Sequence, residues 1–462
     1  MAKIQSKHET DFEAELLSGS AHQVPGKINV TEYWFKVPLD YRNIAGESLR
    51  IFARSAEPLN KPIVAESDPP KQLPWLLFLQ GGPGGACAPV RQGSWTSFFL
   101  DKGYKLLFMD QRGTGLSTTI TTETLIKRGD PQAQADYLKH FRADNIIRDA
   151  EAIRKVLTKY YPTINKKWSI LGQSFGGFCS IHYLSFYPES LREVFATGGM
   201  APMVRQPDAL YAKLLQKAIE MNKAYYAKFP EDIARVHQIV EHVSTNKIKT
   251  TNGGLLTPYR IQNLGMLLLS LDGWETLHNL FLRASTDLST TGEILRPTMM
   301  AIEQQVPFDN AILYAIIHEA CYLSGSASNW SAERALAANQ SFNISQTPKD
   351  QPIMLTVENI THGTFAAYES LQKILPAAEI IASYDQWPKL YDEVQLAKNT
   401  VPVYASIYVD DLAIDFEMAV RRAKSIGNCK TYITNQSWHG GLKEHCDEVL
   451  GALFALRDDV MA

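Results

Sequence analysis

The stretch WSILGQSFGG, residues 168–177, decides the fold. Trp168 to Gln173 is a short, nearly unbroken apolar run, which reads as a strand buried on both faces. The residues that follow, FCSIHYLSFYPE (178–189), read as a helix. Between them Ser174 stands in Gly172-x-Ser174-x-Gly176. A serine at a strand-to-helix turn occupies a strained backbone position, and the flanking glycines remove Cβ clashes. Its Oγ is then presented above the carboxyl ends of the strands. That placement suits a nucleophile, provided that the other parts of a hydrolytic site are also present.

Further runs of the same kind are WLLFLQ (75–80), KLLFMD (105–110) and VFATGG (194–199). Helical spacing lies between them, most clearly in NIIRDAEAIRKVLTKYY (145–161). Alternating strands and helices predict an α/β architecture, a mostly parallel sheet with helices on both faces. Ahead of it, INVTEYWFKVPLDY (28–41) and SLRIFARSAE (48–57) alternate apolar and polar residues and predict strands with one open face. A Pro-rich linker is expected at 58–74, and residues 1–25 read as a loosely docked N-terminal arm. From 203 to 396 the strand signal fades and long helical stretches such as 208–229 take over. Strands return at 401–409 and 429–435, with helices at 416–426 and 441–457. The expected organisation is an arm (1–25), the first part of an α/β core (26–202), an inserted helical cap (203–396) and the rest of the core (397–462).

The formal net charge of -3 over 462 residues gives no bias toward nucleic acid or a membrane surface. No apolar run is long enough to span a bilayer, and the charged N-terminus lacks the apolar core of a secretory signal. Five scattered cysteines without a C-x-x-C pair suggest neither a zinc site nor a disulfide framework. A reducing, cytoplasmic location is the expectation.

Attack by Ser174 on a carbonyl creates an oxyanion, which needs donors. LQGGPGG (79–85) follows the strand at 75–80, so the N–H of Gly82 is one candidate and that of Phe175, the residue after the serine, the other. The hydroxyl also needs a base, and in this architecture an acid and then a histidine follow the serine. Of His318, His362, His439 and His445, only His439 lies just past an α/β strand, in TNQSWHGG. The acid is Asp411 at the end of VPVYASIYVDD, with Asp410 the other candidate; Asp415 reads as a helix N-cap. MDQRGTGLS (109–117) reads as structural support for the oxyanion turn, with Asp110 and Arg112 paired.

Taken together, LQGGPGG, DQRGTGLS and GQSFGG, in this order, resemble the proline iminopeptidases, serine peptidases of the α/β-hydrolase fold. VYASIYVDDLAID and NQSWHGGL resemble that family's acid and histidine segments. Gln80 stands where shorter members have His, as it does in longer members. The resemblance implies hydrolysis of the bond after an N-terminal proline, peptide substrates, and no metal or cofactor. It also implies glutamates in the cap that bind the substrate's charged amine. AIIHEACYL (315–323) points to Glu319 for this role and IMLTVENITHG (353–363) to Glu358, although Val357 replaces the usual Gly beside the latter. Phe175 and cap aromatics such as Tyr322 are expected to form the proline slot. Two other readings share these residues: an esterase or amidase for a small metabolite, and a non-catalytic binding protein on the same scaffold.

Overall fold

The computed structural model describes residues 12–59 and 72–459. Most of the linker expected at 58–74 lies outside them. The apolar runs form a nine-stranded sheet: β1 Glu15–Val24, β2 Ile28–Pro38, β3 Ser48–Pro58, β4 Trp75–Leu79, β5 Lys105–Met109, β6 Trp168–Gln173, β7 Leu191–Thr197, β8 Val403–Tyr408 and β9 Cys429–Thr434. The spatial order is β1-β2-β3-β5-β4-β6-β7-β8-β9. Pairing is antiparallel from β1 to β5 and parallel from β5 to β9.

The helices that fix the site are α1 Ser94–Asp101, α2 Ala143–Leu157, α3 Phe175–Phe186, α4 Asp208–Lys228, α5 Ser331–Ala338, α6 Phe416–Lys424 and α7 Cys446–Asp458. Alternate strand residues feed two apolar cores, because side chains along a strand point to opposite faces. Leu77, Leu79, Ile170 and Ala405 pack with Ile147, Ala150 and Ile153 of α2 and with α3. Leu76, Phe78, Leu106, Phe108 and Leu171 pack with Phe99 of α1 and Phe454 of α7. Both faces of the central strands are therefore covered, which is why their sequences lack alternation. Between β7 and β8 the regular elements are helices, apart from the two-residue strands Ile248–Lys249 and Leu255–Leu256.

Two expectations change. The segment read as an N-terminal arm contains β1, which extends the sheet through a hairpin to β2. Nine of its ten residues are exposed, so its sequence carries no buried face from which a strand could be read. Arg112 does not pair with Asp110. Asp110 instead accepts the backbone N–H groups of Cys87 (2.9 Å) and Leu116 (2.9 Å), tying two loops together. Arg112 reaches Asp149 of α2 in a two-pronged pair of 2.6 and 2.7 Å, fully buried, and also donates to the carbonyls of Pro38, Leu39 and His140.

Truncating Arg112 would leave the Asp149 charge and three carbonyls buried with one partner fewer. Arg112→Ala is expected to cost about 3–5 kcal/mol, measured by urea denaturation. A loss below about 1 kcal/mol would contradict this account.

Candidate active site

The turn after β6 is built by close approach. Ser174 has φ 54° and ψ -123°, a left-handed conformation that non-glycine residues rarely adopt. A Cβ on Gly176 would lie 1.8 Å from the carbonyl oxygen of Leu79, and one on Gly172 would lie 2.4 Å from that of Gly176. Only glycine lets α3 start so close to β4. Ser174 therefore projects from the carboxyl end of the sheet beside the turn at 80–85.

His439 follows β9 and Asp411 follows β8, the strands at the far edge of the sheet. His439 Nε2 lies 2.8 Å from Ser174 Oγ, and its Nδ1 lies 2.9 Å from Asp411 Oδ2. A carboxylate accepts only, so Nδ1 carries the proton and Nε2 faces the hydroxyl. The other oxygen of Asp411 accepts the N–H groups of Ala413 (2.8 Å) and Ile414 (3.0 Å), which fix its orientation. Asp410, the alternative acid, instead pairs with Lys217 of α4 at 2.8 Å. Asp415 caps α6 through the Met418 N–H.

Opposite the serine, a Cβ on Gly81 would lie 3.1 Å from Ser174 Cβ. Gln80 holds this turn: its Oε1 accepts the Gly81 N–H (2.9 Å) and its Nε2 donates to the Ala86 carbonyl (3.1 Å). Among the described residues, neither the Gly82 N–H nor the Phe175 N–H donates to a protein group. Both donors thus remain available.

The two cap glutamates have different surroundings. Glu319 is buried, and its two oxygens accept the N–H groups of Ser331 (3.2 Å) and Ala332 (2.8 Å) at the start of α5. It caps a helix, and burial raises its pKa above the usual carboxylate range. Glu358 accepts the Tyr314 hydroxyl at 2.5 Å, and its other oxygen lies 3.8 Å from His318 Nε2. Burial alone would raise its pKa, but His318, His439 and the Tyr314 hydrogen bond outweigh burial and hold it down to about 2. Conversely, burial disfavours a charged His439, but Asp411, Glu358 and Glu444 together push its pKa up to about 9. Glu358 and His439 are therefore electrostatic neighbours, whereas both oxygens of Glu319 are taken up by the start of α5.

Of the aromatic row beside this carboxylate, sequence reasoning named only Tyr322 as a slot residue. Tyr314 lies tilted over His318 at 4.9 Å between ring centroids, and Tyr322 meets His318 edge-on at 6.0 Å and Phe178 of α3 at 5.6 Å. Their i, i+4, i+8 spacing was the available signal. Phe175 contacts this row through Phe178 (6.2 Å). His445, the other histidine of this segment, shares a hydrogen bond with the buried Ser437 at 2.9 Å.

The sheet order and the serine-bearing turn define an α/β hydrolase, and a family model described as alpha/beta hydrolase fold matches residues 74–238. Over 446 residues the chain is 38% identical to a proline iminopeptidase of Aspergillus aculeatus, covering 96% of this chain and 97% of that one. It is 36% identical to the proline iminopeptidase of Aeromonas sobria, covering 96% and 100%. A proline iminopeptidase of Neisseria gonorrhoeae is 28% identical over 137 residues, 29% of this chain and 34% of that one. The chain belongs to the proline iminopeptidase family.

Proposed function

We propose that this protein is a serine aminopeptidase that removes proline from the N-terminus of peptides. The observation that carries the reading is the continuous relay from Ser174 through His439 to Asp411, with the Glu358 carboxylate acting on the same imidazole. Ser174 Oγ attacks the carbonyl of the first residue while His439 Nε2 takes its proton. The oxyanion is bound by the N–H groups of Gly82 and Phe175. His439 then protonates the leaving amine, and water releases proline from the acyl-enzyme by the same steps in reverse.

Glu358 binds the substrate's ammonium, where partial exclusion of water strengthens the attraction. The aromatic row from Tyr314 to Tyr322, with Phe178, lines the proline slot. The block at 203–396 acts as the cap that carries these groups. Two further observations concern the setting. Among the described residues no helix is long and apolar enough to cross a membrane, and no disulfide links the cysteines. Cysteines outside disulfides support a cytoplasmic location, where cell fractionation should find the protein.

A panel of aminoacyl arylamides tests the reading. Proline arylamide is expected to exceed leucine and N-acetylproline arylamides by at least about 100-fold in kcat/KM, since each competitor lacks the ring or the charge. Equal turnover of the N-acetylated compound would replace the aminopeptidase reading with that of a general esterase or amidase.

A further inference from the structure

A cavity of about 620 Å³ adjoins the site. Its walls include Gln173, which precedes the serine, and Gly440, which follows the histidine. Its floor is aromatic: Trp95 meets Phe78 at 4.4 Å and Phe108 at 5.3 Å between ring centroids. The charged residues lining it are Arg91 and Lys443, both cationic and exposed. Among the described residues neither forms an ion pair or a side-chain hydrogen bond. Three acids follow Lys443 in sequence: the Glu444 carboxylate lies against Gly440 at the cavity wall, Glu448 accepts the Tyr432 hydroxyl, and both, with Asp447, line a neighbouring depression with Lys443. Helix α1 also begins at this wall, with Gly93 as N-cap and no side-chain cap bond, so its positive end adds to the same field.

Geometry assigns this cavity a substrate part. The proton that His439 takes from the serine goes to the leaving amine, so the chain beyond the scissile bond must lie on the histidine's side. We propose that the cavity binds the leaving portion of the substrate, with an apolar side chain on the aromatic floor and the free C-terminal carboxylate between Arg91 and Lys443. The preferred substrates are then short peptides, proline followed by one or two residues. This rests on the aminopeptidase reading and extends it to the far side of the bond.

The test compares three substrates: prolyl-phenylalanine, its C-terminal amide, and prolyl-glutamate amide. The free acid is expected to exceed its amide about tenfold in kcat/KM at low salt, with the preference shrinking as salt screens the exposed cations. The doubly neutralised variant Arg91→Gln/Lys443→Gln, checked for an unchanged unfolding midpoint, should bring the ratio close to one. An enzyme that cleaves proline arylamide but treats acid and amide alike, or keeps its preference in the variant, overturns the subsite and leaves the aminopeptidase reading standing. A preference for the glutamate amide alone overturns the short-peptide assignment. Failure to cleave any prolyl substrate overturns the aminopeptidase reading, and the subsite with it.

Discussion

Ser174→Ala is expected to lower kcat/KM for proline arylamide by roughly 10⁴- to 10⁶-fold, the usual scale for loss of a nucleophile. The hydroxyl supplies the atom that bonds to substrate, and no other nucleophile holds the same hydrogen bond to His439 Nε2. What survives is oxyanion binding and substrate placement. The fold should be unaffected or slightly relaxed. The side chain removed is a single oxygen on a residue whose φ of 54° is imposed by the packing of its neighbours. Two measurements settle the point: turnover of the arylamide and covalent labelling by a fluorophosphonate. A folded variant that retains turnover within tenfold of the wild type would remove Ser174 from the chemistry.

Glu358→Gln is the second large effect. Replacing a partly buried anionic anchor with an amide leaves the incoming ammonium without its counter-charge, a loss of about 3–4 kcal/mol or 10²- to 10³-fold in kcat/KM. The change also reaches the base. His439 must be neutral to accept the serine proton, so kcat/KM of the wild-type enzyme falls as pH drops below about 9. Glu358 is one of the charges that favour the protonated ring, and the variant's acid limb should therefore move to lower pH. In the wild-type complex the substrate's own ammonium offsets Glu358, so the acid limb of kcat should lie below that of kcat/KM. A neutral ester without an amino group should lose little on substitution. An unchanged pH profile together with an unchanged kcat/KM would exclude Glu358 from the site. Glu319→Gln, by contrast, weakens a helix cap, and its effect should fall mainly on stability, about 0.5–2 kcal/mol.

These two glutamates illustrate what a sequence can and cannot carry. The central strands were legible because burial on both faces leaves an uninterrupted apolar run, as in Trp75–Leu79 and Val403–Tyr408. The strand Glu15–Val24 was not, because exposure of nearly every residue erases the pattern. Ser174, Asp411 and His439 could be nominated from their positions at strand ends, which depend on local order alone. The choice between Asp411 and Asp410 depends on Lys217, nearly two hundred residues away. Likewise, Glu319 is occupied by the start of a helix at Ser331, and Arg112 by Asp149 on another element. Such partners are long-range facts, and a single sequence does not state them.

The split of the sheet has a consequence for the life of the chain. The serine-bearing turn is complete by Gly177, yet its base and acid come from strands that begin only at Val403 and Cys429, after the helical block. β8 must first align with β7, which reaches the ribosome's exit some two hundred residues earlier. A nascent polypeptide therefore carries an inert hydroxyl until the segment bearing His439 has emerged. Premature hydrolysis of peptides by unfinished molecules is prevented by the order of synthesis itself.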